Sequence, residues 1–214
     1  MENVSQILKK NDIEVNVATM SLPNAIAMLS KLDKHEIAAL NGVDDNGDLF
    51  MSFSIRVAFR RGEEQHLIDL FKVLEAANAN IYEQIDRNGF TYLDLVFDEI
   101  FINNDRRDDF FGKQLLVYLA NKSPDINTKK SYRGLNQVTH LMRAILVGNL
   151  ALTKALLELN FDPSIRDGDG LNCDDYIQAK EKSLPEFCLN YRAYLLSRKH
   201  APNAVIRKSS RRLL

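Results

Sequence analysis

The chain has 214 residues, of which 45% are hydrophobic and 27% charged, and its formal net charge is −1. These proportions are typical of a globular protein and exclude wholesale disorder, while the length suits one domain or one continuous stack of repeats. No apolar run approaches the roughly 20 residues that cross a bilayer, so we expect no membrane insertion. The N-terminus also lacks the long apolar segment of a secretory signal.

The small net charge hides an acidic body and a basic C-terminus. No acid follows Glu186, whereas seven of the 28 cations do, which leaves 21 cations against 29 acids in residues 1–186. An acidic body disfavours nucleic-acid binding. Cys173 and Cys188 could pair with each other, but they have no metal-type spacing. Free, buried thiols in a reducing cytoplasm are the simpler interpretation.

In chain order, residues 1–41 are predicted to form an N-terminal helical cap, because 23–40 read as two short amphipathic helices on either side of Asp33. Related segments follow from residue 42 to residue 180, and the last of them is partial. Their bounds are 42–82, 83–127, 128–164 and 165–180.

The third segment has the clearest pattern. It has a Thr-x-Leu-x-x-Ala helix start, a Gly-Asn break and a Leu-rich second helix, and the polar turn that follows closes on Gly170 in the last segment. Thr139 and its counterpart Thr91 in the second segment are placed to cap their helices. Leu141 and its counterpart Leu93 are expected in the core.

Further regularities concern the first helix of each segment. Its capping slot and its break are four residues further apart in the first two segments than in the third, which predicts first helices about one turn longer there. One slot is kept small so that paired helices approach closely, and it holds Ser54, Val96 and Ala144. Glycines expected at positive φ are Gly47, Gly89 and Gly170, and Gln137 stands where the third segment should have one.

After the last segment, residues 183–199 are predicted to form a C-terminal capping helix that opens with a capping box from Ser183 to Glu186. Four of its side chains are expected to cover the last segment: Tyr191, Tyr194, Leu195 and Leu196. Residues 200–214 are expected to be a basic, flexible tail.

The layout of 42–180 resembles that of ankyrin-repeat proteins, whose unit is a turn followed by two helices. The resemblance implies an all-α ankyrin-repeat solenoid of helix-turn-helix units, with helical caps at both ends. The helix-start slot, where proline is usual, holds Phe50, Tyr92, His140 and Cys173 here. A surface role is the simpler expectation for His140.

Little in the sequence suggests catalysis, so we expect neither a cofactor nor a metal. The histidines His35, His66, His140 and His200 lie far apart along the chain. The acids Asp105, Asp108 and Asp109 fit a solvated loop. Residues 167–170 resemble part of a calcium loop, but the closing Glu is missing, and a turn is the better interpretation.

The ankyrin resemblance places a partner protein on the turn fingers and on the exposed side of the first helices. The fingers are about 79–89, 126–137 and 164–170. Their candidate contact residues are Tyr82, Arg87, Lys129, Lys130, Tyr132, Arg133 and Arg166, and Tyr and Arg are enriched at binding hot spots. We expect joint replacement of Tyr132 and Arg133 to weaken binding without a large change in thermal stability. The alternative is that Lys129 and Lys130 are merely solvated and that Tyr132 packs on its own loop.

The leading hypothesis is therefore a non-catalytic, monomeric, cytoplasmic module that binds another protein. A second hypothesis is an ankyrin-repeat effector that an intracellular bacterium secretes into a host cell, where it binds and modulates a host protein. A third is an enzyme whose catalytic groups lie in the unassigned ends, which would need a deep pocket lined by polar groups of shifted pKa.

Overall fold

The computed structural model describes residues 4–10, 21–40, 50–79, 81–82, 90–103, 112–132 and 134–200. These residues are mostly helical, as the sequence predicts. The helices are α1 Val4–Lys10, α2 Leu22–Leu29, α3 Lys34–Ala39, α4 Phe50–Arg61, α5 Leu67–Ala76, α6 Tyr92–Asn103, α7 Lys113–Lys122, α8 His140–Val147, α9 Leu150–Glu158, α10 Cys173–Lys180 and α11 Pro185–His200. A short 3-10 helix, Glu64–His66, precedes α5. No helix of the described ranges is both long and apolar enough to span a bilayer.

A small antiparallel hairpin departs from the all-α expectation. Strand β1, Lys130–Tyr132, pairs with β2, Leu135–Val138. Gly134 turns the chain at φ +88°, and Gln137 adopts φ +53° where the sequence pattern calls for glycine. Pairing the two strands of this finger satisfies their backbone N–H and C=O groups. The helix pattern of the sequence did not predict these strands.

Within the described residues the central helices follow one another in pairs along the chain. The helices α6 and α7, α8 and α9, and α10 and α11 pack on each other, whereas α4 and α5 each pack on the 3-10 helix that joins them. The first helices α4 and α6 have 12 residues each, whereas α8 has 8. The predicted extra turn in the first two segments is therefore confirmed. It lengthens the helices without moving their apolar side, because four residues complete about one turn.

Two of the pairs end their helices in the same way. Gly62 and Gly148 close the first helices at φ +69° and +73°, and Asn78 and Asn160 close the second helices at φ +62° and +65°. After each of the four, the next N–H donates to the carbonyl five residues back, over 2.9–3.1 Å. This left-handed helix ending is common for glycine and tolerated by asparagine. Segments 50–79 and 140–161 thus share a detailed backbone pattern.

The N-terminal helices lie on either side of Asp33, as predicted. Its carboxylate accepts from the N–H groups of His35 and Glu36 at 2.8 and 2.9 Å, and the Glu36 carboxylate accepts from the Asp33 N–H. The backbone N–H of Leu22 donates to Glu63, which ties α2 to the loop after α4. The α2 and α3 helices pack on α5, where they cover its apolar side.

The core is continuous through the helix pairs. Leu93 and Leu141 are buried, and the slot filled by Ser54, Val96 and Ala144 has no exposed surface, so these expectations are confirmed. Thr139 accepts from the N–H of Met142, and Thr91 from that of Asp94, as expected of helix caps.

The α11 helix occupies the segment predicted as the C-terminal cap. Tyr191 is buried, and Tyr194 and Leu195 are partly buried against the core. Leu196 is 56% exposed, so the expectation that it covers the last segment is wrong. Leu196 lies on the opposite side of the helix from Tyr191, because five residues correspond to about 500° of rotation. The tail at 201–214 lies outside the described residues.

Both cysteines are free and buried, as expected. Burial raises the pKa of the Cys173 thiol to about 12, so it stays protonated and unreactive near neutral pH.

Candidate functional site

Two of the predicted contact residues lie on neighbouring fingers that are joined to each other. The Lys129 ammonium donates to the backbone carbonyl of Arg166 at 3.3 Å, and both side chains are exposed. The Arg166 guanidinium in turn donates to the Gly170 carbonyl and lies 3.9 Å from Asp175. Arg87 and Arg133 fall outside the described residues, as does the acidic loop with Asp105, Asp108 and Asp109.

Further hydrogen bonds connect the same two fingers. The Gly168 N–H donates to the Asn136 carbonyl at 2.7 Å, and the Asn136 amide reaches Asp169 at 3.3 Å. Asn127 accepts from the Asp162 N–H at 2.9 Å. The hairpin and the next finger therefore present one continuous surface.

The finger at 164–170 is a turn, as the sequence predicts. Asp167 accepts from the N–H groups of Asp169 and Leu171 at 2.8 Å each and from the Tyr176 hydroxyl at 2.5 Å. Burial alone would raise the pKa of this carboxyl, but these hydrogen bonds hold it below its usual range. Both carboxylate oxygens are thus occupied within the loop itself.

Tyr82 and Lys130 lie further inward than the sequence indicates. Tyr82 is half-buried against the core, and the Lys122 Nζ lies 5.6 Å from its ring centre. Lys130 is half-buried, with its Nζ 5.8 Å from the ring centre of Phe90. That Tyr82 and Lys130 contact a partner stays a prediction, because these contacts do not test it.

Tyr132 holds the hairpin against the first helices. Its ring centre lies 3.6 Å from the Arg143 guanidinium and 5.8 Å from the ring centre of Phe90, which it meets edge-on. Its hydroxyl has no hydrogen-bond partner in the described part of the chain. These contacts predict that loss of the ring lowers stability, contrary to the expectation from the sequence.

His140 is buried, so the expectation of a surface role is wrong. Its side chain is 1% exposed, its ring stacks on Phe97 with centres 3.8 Å apart, and its Nε2 lies 2.8 Å from the Asp94 carboxylate. The helix-start slot faces the preceding helix pair, and Asp94 on α6 supplies the polar partner there.

Asp94 and His140 form a neutral imidazole–carboxylate pair. Burial alone would raise the Asp94 pKa, but hydrogen bonds from His140 and from the N–H and hydroxyl of Thr91 hold it below its usual range. Burial lowers the His140 pKa, so the neutral ring donates its Nε2–H to the carboxylate. The His140 Nδ1 has no hydrogen-bond partner among the residues that the structure describes.

The contact between α6 and α8 continues in steps of one helical turn. One turn beyond Asp94 and His140, the Arg143 guanidinium lies 2.7 Å from Asp98. A further turn along each of these helices lie Ile102 on α6 and Val147 on α8. Their exposed fractions are 66% and 61%. The contact thus passes from a buried polar pair, through a partly exposed ion pair, to an exposed apolar pair, which we call the apolar step.

An open groove lies beside the apolar step, between α4 and α6. Its volume is about 390 Å³, and Arg56 on one wall lies 3.7 Å from Glu99 on the other. The lining residues are Ser52, Ile55, Arg56, Arg60, Leu95, Asp98, Glu99 and Ile102. Sequence reasoning named the first-helix face but none of these residues. The available signal was their spacing of three or four along two helices, which matches one exposed face.

The groove is open to the surface, whereas the Asp94 and His140 side chains are each 1% exposed. No cluster of three or more His, Cys, Asp or Glu side chains with metal-binding geometry occurs within the described ranges.

No protein-family model matches the chain, and no curated protein sequence matches it.

Proposed function

We propose that this chain is a divergent ankyrin-repeat solenoid that binds another protein through its first-helix face and its joined fingers. Three features support the repeat assignment: the successive helix pairs, the shared helix endings at 62, 78, 148 and 160, and the hydrogen-bonded fingers. Each pair is too small to bury its apolar side alone and depends on its neighbours, as in repeat proteins generally.

The apolar step carries the proposal of a protein partner. Two large aliphatic side chains, Ile102 and Val147, are each more than half exposed, and Ile102 lines an open groove. Exposed apolar surface next to polar residues is a common mark of an interaction site. The helices beneath it are fixed by the ion pair and the buried polar pair, so the surface is rigid before a partner arrives.

Site-specific photo-crosslinking tests this function. A photoreactive amino acid is placed at position 102 or 147 in the full chain, which is then expressed in the cells where it occurs naturally. We expect the same partner protein to be crosslinked from both positions. The matched control carries the photoreactive group at Asn121, an exposed position on α7, a second helix.

The control shows whether a crosslinked partner is bound at the first-helix face or elsewhere on the chain. Equal capture from 121 and 102 would remove the first-helix face as the binding site. Absence of any crosslinked protein from both 102 and 147 would remove protein binding as the function.

A further inference from the structure

The apolar step adjoins an arginine that no acid neutralises in the described residues. Arg60 lies one turn beyond Arg56 on α4, and Ile102 lies close to one turn beyond Glu99 on α6. Arg56 and Glu99 face each other at 3.7 Å, and Arg60 and Ile102 line the same groove. The ion pairs found among the described residues do not include Arg60.

The acids near the step already face arginines, and they are less exposed than Arg56 and Arg60. Asp98 is held by Arg143 at 2.7 Å, and Glu99 faces Arg56. The side chains of Asp98 and Glu99 are 33% and 13% exposed, whereas that of Arg56 is 54% exposed. An incoming segment therefore meets apolar surface and positive charge first.

Resting on the proposed function, we propose that this surface takes a protein segment in which a large apolar side chain lies next to a carboxylate. The apolar side chain packs on Ile102 and Val147, and the carboxylate pairs with Arg60. Arginine suits this role because its planar guanidinium binds a carboxylate through two parallel N–H groups. The apolar side chain matches the apolar step, and the carboxylate matches Arg60 in charge. A basic segment would instead be repelled by Arg60.

Synthetic peptide pools provide the test. Each pool contains fluorescent 12-residue peptides with randomised positions, drawn from Leu, Glu and Ser, from Leu, Lys and Ser, from Leu, Gln and Ser, or from Ala, Glu and Ser. Binding to the full chain is followed by fluorescence anisotropy. We expect the Leu–Glu pool to bind about tenfold or more tightly than each of the other three, a difference of about 1.4 kcal/mol.

Variants then assign the preference to the surface. I102S combined with V147S should abolish the advantage of the Leu–Glu pool, and R60E should remove its preference over the Leu–Lys pool. R60K should retain most of it. L189S is the matched control, because Leu189 is 68% exposed on α11, away from the groove. Circular dichroism checks that every variant is folded, which is expected since the replaced side chains are exposed.

The outcomes distinguish this inference from the proposed function. Equal binding of all four pools, a preference for the Leu–Lys pool, or a preference that survives I102S with V147S and R60E would overturn the inference. Crosslinking of a partner from position 102 together with any of these results would leave the function standing and remove only the stated chemistry. Absence of crosslinking would remove both.

Discussion

The Asp94–His140 pair predicts a loss of stability on mild acidification. In the folded chain, burial holds the His140 pKa below its ordinary value of 6.5. As the pH falls through 6.5, the unfolded chain takes up a proton that the folded chain does not, so the free energy of unfolding decreases. Asp94 acts in a separate window. Its lowered pKa contributes stability that is lost only as the pH falls below its ordinary value of 3.8.

The magnitude follows from linkage. The drop has an upper bound of about 1.3 kcal/mol between pH 7 and one unit below the unfolded-state pKa of 6.5, which is reached if the folded chain takes up no proton at His140 in that range. Small domains are stable by about 5–15 kcal/mol, so the drop is large enough to measure.

Urea unfolding followed by circular dichroism across this pH range measures the effect. The comparison is with His140→Gln, which keeps an N–H donor for Asp94 and does not titrate. The variant is less stable at every pH because it loses the ring that stacks on Phe97 at 3.8 Å, so only the pH dependence is compared. The other histidines are present in both proteins and cancel. Equal pH dependence in the two proteins would refute a neutral, buried His140.

Three further predictions concern the hairpin and its neighbour finger, and all use urea unfolding as the measurement. Tyr132→Ala should lower the free energy of unfolding by about 2 kcal/mol, because the ring packs on Arg143. Tyr132→Phe should change it by less than about 0.5 kcal/mol, because the hydroxyl has no hydrogen-bond partner in the described residues. Equal effects of the two variants would contradict this. Gln137→Gly should stabilise by about 0.5 kcal/mol by relieving φ +53°, and Gly134→Ala should destabilise by about 1, so opposite signs are required. Gly168→Ala should cost about 1 kcal/mol, since its Cβ would lie 2.3 Å from the Asn136 amide that joins the fingers; an unchanged midpoint would show that Asn136 simply moves aside.

The helices and their caps were predictable because their signals are local. Thr139 caps a helix through an N–H three residues away, and the extra turn in α4 and α6 follows from spacing alone. The requirement for positive φ at Gln137 was also visible, because the pattern called for glycine there.

The surface was not predictable because it depends on residues far apart in sequence. His140 is buried by a partner 46 positions away, and a single sequence does not say which slot faces which neighbour. The apolar step likewise depends on the register between α6 and α8, which the Asp98–Arg143 contact fixes. Tyr132 was placed on the correct finger, but its inward direction follows from Arg143 and Phe90.

The buried Asp94–His140 pair makes the order of the helix pairs non-interchangeable. If a shortened protein lacked the pair α8–α9, the helix-start slot facing Asp94 would pass from His140 to Cys173, whose thiol is a weak donor. Asp94 Oδ2 would keep its bonds from Thr91, but Oδ1 would lose its donor, and removing one partner of a buried pair costs several kcal/mol. A lengthened or shortened version of this chain must therefore keep α6 and α8 next to each other.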